Sequence, residues 1–480
     1  MNYPTGLQSG DLYLNVVYFA GQGNIELRGP SADALKGFEG EASELDGGVV
    51  LHGPLSAKNA RELRRRIPSL APQPVGLATS AGVGDRMGLA TRGHARAFQR
   101  YGSGLRAVFA QQSAREMQRL GRTPQQVLDD ATFGALAAGW DQPFGADADH
   151  LKTTDDIDLC LAAGFTSFTI DPGDLVNDVG VTFDGSLAAL PWASLEDDER
   201  SFLRRYAPGT YDDRGTGVFP SEQDIRHAAA KYGAAVAHAV MMYRHLRAMA
   251  SHAIEVEIAI DETEDVTTIV EHVYFATELR RLGVEWMSFA PRYIGRFEKG
   301  VEYIGSLEVL RDSLTQHAAV ALAFGPYKLS IHSGSDKFSI YELAMVATGG
   351  VMHLKTSGTN YLVALELAAR HHPDLFRDIY EVSREAYVGT RASYQVSADL
   401  ANAPPSTSLR DSDLPSLLGH FDARQLLHVG YSAVLTREDE QVTTSLNDAL
   451  RGLLTDRGDE YDSLLVAHIG RHLAPLAGAR

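Results

Sequence analysis

Cysteine is almost missing from this chain: Cys160 is the only one in 480 residues. An intrachain disulfide is thereby excluded, and a reducing compartment is the expected setting. Basic residues are in deficit, with 44 Lys and Arg against 62 Asp and Glu and a formal net charge of -18. Such a field repels phosphate backbones and anionic lipid head groups, which argues against nucleic-acid and membrane partners. Long hydrophobic runs are also lacking. The most apolar stretch, Ala234 to Met242, is short and interrupted by His238, too little to span a bilayer. The start, Met1-Asn2-Tyr3-Pro4, has no basic segment followed by an apolar run, so no signal peptide is expected. Internal repeats and low-complexity segments are missing, as are a nucleophile elbow, a Walker loop, an H-E-x-x-H helix and a cysteine metal site. These absences leave a cytoplasmic chain whose expected partners are small molecules or further copies of itself.

What is present points to one large core. Hydrophobic residues make up 44% of the chain, which also holds 45 Gly and 19 Pro. From about residue 75, short apolar runs recur, each ending in polar residues and followed by a helix-like stretch. They are Val75 to Ser80, Ala107 to Gln111, Phe144 to Asp149, Ser167 to Asp171, Glu255 to Asp261, Glu285 to Arg292, Lys328 to Ser333 and Val351 to Thr356. Strands alternating with helices in this way predict an α/β fold, a closed (β/α)₈ TIM-like barrel. The barrel is placed at 71–358, with a small α/β N-terminal flank at 1–70 and a mainly helical region at 359–480. Residues 172–253, with an amphipathic helix from Glu222 to Met249, read as an insertion that caps the barrel mouth.

Side chains alternate across a strand, so the large aliphatic residues of each run face the outer helices and the other parity faces the lumen. Outward Val256, Ile258 and Ile260 turn Glu257 and Asp261 inward. The same parity turns Asp147, Asp149, Thr169, Asp171, Ser330, His332, His353, Lys355, Ser288 and Arg292 inward. Most of the charged members stand at the C-terminal strand ends, the face that carries the active site in barrel enzymes. A purely structural lumen favours Val, Ile and Leu, so this polar excess points to catalysis.

Four constellations stand out. Gly145 to His150 gathers two carboxylates and an imidazole, suited to a divalent cation or an acid/base pair; as a solvated loop it needs neither. His332, with Gly334 and hydroxyl residues after it, offers a nitrogen ligand and free backbone N–H groups, although Ser333 or Ser335 also serves as a simple helix cap. Asp261-Glu262-Thr263-Glu264 crowds carboxylates that a cation or a shared proton relieves. Deeper in the lumen, burial is expected to raise the pKa of Glu257 toward that of a general acid. The loop Ser80 to Arg86 lacks the third glycine of a dinucleotide fingerprint, since Met87 occupies its place. It aims Asp85 and Arg86 at the mouth instead, where Arg86, Arg292, Lys337 and Lys355 are expected to form a basic patch for a carboxylate substrate. Gln112 and Asp336 complete the candidate substrate contacts.

The stretches Gly84-Asp85-Arg86, Phe109 to Ser113, Val127 to Thr132, Phe144 to His150, Phe168 to Pro172, Asp261 to Glu264, Ile331 to Ser339 and Ala347 to Gly350 resemble the tagaturonate epimerase family over about residues 75–435. That resemblance implies a metal-dependent epimerase interconverting D-tagaturonate and D-fructuronate, with some relatives acting on tagatose and fructose. It implies Asp149 as proton acceptor, Glu257 as proton donor, and His150 and His332 among the ligands of a divalent metal cation (Zn, Mn, Ni, Co or Fe). Asp261 or His353 is the expected further ligand, with Glu262 behind them. His150 has outward parity, so the chain must turn just after Asp149. The stereocentre these enzymes invert is not acidic, which favours a retro-aldol route over enolisation. A metal-dependent aldolase or lyase on keto-sugar acids is the rival class.

Overall fold

The computed structural model describes residues 6–19, 22–177, 185–437 and 444–478. The chain begins with a five-stranded antiparallel sheet over Leu7–Pro54 and a helix, Ala57–Arg66, whose Ser56 cap accepts the Asn59 N–H. Leu14, Ile25, Leu27, Leu51 and Leu63 bury the face between them. Arg64 then ties this flank to the barrel, reaching Asp129 at 2.8 Å and Thr132 at 2.8 Å.

Eight parallel strands close the barrel: β1 Ser80–Gly82, β2 Arg106–Ser113, β3 Phe144–Leu151, β4 Ser167–Ile170, β5 Glu255–Ala259, β6 Ser288–Ala290, β7 Lys328–Ile331 and β8 Met352–Lys355. All eight expected runs are thus found, with one shift. The first strand begins at Ser80 rather than Val75, because Pro72 and Pro74 supply no N–H to a ladder and Gly76 turns at φ 62°. Ser-Ala-Gly is a weak strand by composition. It is held by pairing with β2 on one side and β8 on the other.

The wall helices are α1 Thr91–Tyr101, α2 Pro124–Ala137, α3 Thr154–Ala163, α4 Glu222–Met249, α5 Ile269–Arg281, α6 Leu307–Phe324, α7 Tyr341–Ala347 and α8 Gly458–Gly478, each packed on the next around the ring. Two of these differ from the expectation. The helix α4 does not cap the mouth: it stands in the wall between α3 and α5. Its face of small residues, with Ala228, Ala229, Ala235 and Ala239 all buried, lets a long helix lie flush there. The eighth wall helix comes from the far end of the chain, about a hundred residues past β8. It docks closely, for a Cβ on Gly93 of α1 would sit 2.7 Å from Leu465, and one on Gly470 would sit 2.6 Å from Tyr101. Arg92 and Arg96 both grip Asp462 across the same seam.

Between β8 and α8 the chain builds a helical layer with its own core, including Leu362, Phe376, Ile379, Leu426 and Val434. This layer, not α4, covers the C-terminal end of the barrel and brings Tyr394, His428 and Tyr431 to the mouth. Among the described residues no helix is long and apolar enough to cross a membrane.

Candidate active site and metal centre

The inner layer is organised by one ammonium group. Lys355, the last residue of β8, is buried and places Nζ 2.7 Å from Asp149 Oδ1, 2.7 Å from Glu257 Oε1 and 2.8 Å from Asp147 Oδ2. It also donates to Thr169 Oγ1 at 2.8 Å. Its directed hydrogen bonds go to Asp149 and Thr169, while Glu257 Oε1 and Asp147 Oδ2 are held by ionic contact, and Asp147 Oδ2 has no hydrogen-bond donor of its own. Burial lowers the tendency of Lys355 to hold its proton, but the three carboxylates outweigh it and raise the pKa well above the ordinary lysine value. Burial also pushes Asp147 up to about 6, with Asp149 and Glu257 adding to it against Lys355.

Glu257 departs from its expected chemistry. Burial does act to raise its pKa, but Lys355 and His332 beside it hold the carboxyl well below the usual range. A cation at 2.7 Å overrides desolvation here. Asp149 behaves likewise: burial opposes, while Lys355, His150 and His332 keep it ionised.

Two imidazoles stand above this layer with their nitrogens sorted. His332 places Nε2 2.6 Å from Glu257 Oε1, and its Nδ1 lies 3.2 Å from His150 Nε2. His150 in turn places Nδ1 2.9 Å from Asp171 Oδ2. Each ring is thus backed by a carboxylate on one nitrogen and aims the other at a common point, the arrangement by which carboxylates orient metal-ligating histidines. Asp261 Oδ1 approaches the same point, 3.1 Å from His332 Nδ1, and is buried with no hydrogen-bond partner. Asp149, His150 and His332 each offer a ligand atom within 4.8 Å of the others. Nitrogen and carboxylate donors crowded this way fit a divalent cation. Burial depresses both imidazoles, but their acidic neighbours prevail and hold His150 up to about 10 and His332 up to about 9. The cluster draws positive charge.

His150 reaches this point because β3 breaks its alternation. The register slips between Ala148 and Leu151, and His150 adopts φ 53°, a left-handed conformation uncommon for a residue with a Cβ. The turn expected after Asp149 is there.

The other sequence-derived candidates divide. Arg86, Arg292 and Lys355 line the mouth. His353 does not join the ligands: it lies one layer deeper, Nδ1 2.8 Å from Ser80 Oγ, with its pKa depressed by burial and by nearby Lys328. Asp85 folds back to accept the N–H groups of Met87, Gly88 and Ala90 and shapes its own loop. Gln112 turns away to Arg122, while Gln111 lines the mouth with both amide atoms unpartnered. Asp336 pairs with Arg424 at 2.5 Å and approaches His472 and His468 of α8. Lys337 points away as well, donating to the carbonyls of Glu298, Val301 and Ser335. It acts as a pin for the 298–301 loop. Lys337→Met strands those three buried acceptors and is expected to cost about 3 kcal/mol of stability, measured by denaturant unfolding. A loss under about 0.5 kcal/mol would show that the loop does not depend on it.

Sequence reading missed Lys299, Arg115, Glu116, Tyr394 and His428, which also line the mouth. Arg115 and Glu116 come from the short helix Ala114–Leu120 after β2, Lys299 from a loop, and Tyr394 and His428 from the helical layer, where strand parity gives no signal. The mouth opens into a cavity of about 470 Å³ bounded by Asp261, Glu262, Arg292, Lys299, His332 and Tyr394. A larger cavity, about 1130 Å³, lies at the opposite face of the barrel, but Arg106 is the one ionisable residue in its lining, so it offers no comparable chemistry.

Comparison with known proteins converges on this architecture. The family model described as tagaturonate epimerase matches residues 28–476. A protein named tagaturonate/fructuronate epimerase from Thermotoga maritima is 39% identical over 427 residues, covering 88% of this chain and 85% of its own. The native crystal structure of fructuronate-tagaturonate epimerase from Cohnella laeviribosi superposes with a TM-score of 0.89 at 33% identity, covering 99% of this chain and 95% of that one. A structure of the same Cohnella protein with one glycerol gives 0.87 at 32% identity, with the same coverage.

Proposed function

We propose, from the premise that the chain belongs to the tagaturonate epimerase family, that it interconverts D-tagaturonate and D-fructuronate by inverting the carbon one removed from the α-carbon of the ketone. The single observation that carries the mechanism is the approach of His150 Nε2 and Asp261 Oδ1 to His332 Nδ1, at 3.2 and 3.1 Å, beside the Asp149–Lys355–Glu257 layer.

A divalent cation held by His150, His332 and Asp261 would supply a Lewis-acid pull on the carbonyl and hydroxyl oxygens of the open-chain sugar. Everything else falls to the chain's own side chains. Asp149, ionised and lining the mouth, takes the proton of the hydroxyl on the carbon to be inverted. The adjacent C–C bond then breaks, leaving an aldehyde on one fragment and the electron pair on the other as an enediolate. The aldehyde presents its opposite face, the bond reforms, and the new alkoxide takes a proton from the Glu257 side. That side is proton-rich, with Glu257 Oε1 sharing a 2.6 Å hydrogen bond with His332 and standing 2.7 Å from the Lys355 ammonium. Asp149 and Glu257 meet the same Lys355 nitrogen, so the ammonium links the proton acceptor to the carboxylate through which the proton returns.

Stripping the protein with a chelator and restoring single divalent metals is the direct test, with conversion of D-tagaturonate followed by NMR in D₂O. We expect activity to vanish and return with metal, six-carbon products alone, and the original hydrogen kept on the inverted carbon. Deuterium on that carbon overturns the C–C cleavage route. Accumulating fragments point to the aldolase class, and chelator-resistant turnover with bound nicotinamide points to hydride shuttling.

A further inference from the structure

Six cationic side chains line the mouth: Arg86, Arg115, Lys152, Arg292, Lys299 and Lys355. Four of them are already neutralised. Arg86 lies 2.6 Å from Glu116, Arg115 2.8 Å from Glu262, Lys152 2.6 Å from Asp174, and Lys355 serves its three carboxylates. Among the described residues, neither Arg292 nor Lys299 has a carboxylate oxygen within 4.0 Å. Both line the 470 Å³ cavity that also holds Asp261 and His332.

Each of the two is held in place by uncharged groups. Lys299 donates to Ser333 Oγ at 2.7 Å, and Ser333, next to His332, sits at φ 49°. Arg292 donates through one terminal nitrogen to the carbonyls of Tyr293 and Gly295, at 3.0 and 3.2 Å, and its buried Nε has no partner. Two positioned cations with no carboxylate in ion-pair contact, although Asp261 and Glu262 act on them from farther off, are suited to hold an anion in a chain of net charge -18.

We propose that Arg292 and Lys299 clamp the carboxylate end of a sugar-acid substrate, and so select uronates over neutral ketoses. The substrate class rests on the epimerase reading; the clamp rests on the two unpaired cations. With the keto end at His150 and His332, the far end of the sugar extends along the cavity toward these two groups. The basic patch foreseen from sequence therefore narrows to Arg292 and gains Lys299, while Arg86, Lys337 and Lys355 are committed elsewhere.

The test uses the metal-loaded full chain and two probes, D-gluconate, which has the carboxylate but no ketone, and sorbitol, which has neither. Calorimetric binding of each is measured for the wild type and for Arg292→Gln, Lys299→Gln and Lys299→Arg, beside kcat and KM with D-tagaturonate. Each Gln variant is expected to weaken gluconate binding and raise KM roughly 10- to 100-fold, with kcat changed less and sorbitol unaffected. Lys299→Arg, which keeps the charge, is expected to retain most of the affinity. Failure of the wild type to bind gluconate, or gluconate affinity untouched by both Gln variants, overturns the clamp; so does a fall in kcat at constant KM. If gluconate binds through these residues but tagaturonate is not turned over, the clamp stands and the epimerase reading falls.

Discussion

Asp149→Asn is expected to lower kcat about 1000-fold while the chain stays folded and still binds substrate. The amide copies the shape of the carboxylate, so the β3 strand end and its neighbours keep their packing. Lys355 loses one of three anionic partners but keeps Asp147 and Glu257 at 2.8 and 2.7 Å, which leaves the ammonium compensated. What disappears is the group proposed to accept the hydroxyl proton. The prediction is checked by single-turnover kinetics beside substrate affinity measured calorimetrically. A kcat within tenfold of the wild type would remove Asp149 as the base, and a matching loss of substrate binding would recast it as a binding group.

Much of this site is legible in the sequence because the barrel enforces a period of two. Outward Val256, Ile258 and Ile260 place Glu257 inside, and the same rule places Asp147, Asp149, Thr169, His332 and Lys355 where the structure has them. The rule fails where a strand departs from ideal pairing. Register slips on β2 between Val108 and Ala110, so Gln111 aligns with inward-facing Asp147 although parity counted from outward-packed Phe109 does not predict it. The slip on β3 brings His150 to the mouth against its parity, a turn that the family resemblance called for and the strand pattern did not. Parity also says nothing about depth. It places His353 and Lys355 on one face but cannot tell that His353 sits a layer lower, against Ser80.

The larger elements were less readable, for a different reason. Amphipathic Glu222–Met249 looks the same in sequence whether it packs over a mouth or against a wall, since both bury one face. The choice is made by neighbours far away in the chain. The eighth wall position is filled by α8 because Gly93 and Gly470 permit close approach and Arg92 and Arg96 meet Asp462, pairings separated by more than 350 residues. No local pattern carries that information.

Lys355→Met tests the other half of the design, and its largest effect is expected on folding. Methionine has similar length and packs well, so the change isolates the charge. It leaves Asp147, Asp149 and Glu257 buried around an apolar chain end, and breaking a buried ion cluster from one side costs about 3–5 kcal/mol. The cost is expected to shrink when Asp147→Asn is added, because that removes one of the three stranded charges and leaves an amide that hydrogen-bonds with Thr169. Denaturant unfolding of both single variants and the double variant measures the coupling. A divalent cation held as proposed by His150, His332 and Asp261 would replace part of the lost positive charge, so added metal is expected to stabilise Lys355→Met more than the wild type. If the variant instead loses under about 1 kcal/mol and metal adds nothing to it, the three carboxylates do not depend on Lys355, and the central ammonium cannot be what holds acceptor and donor together.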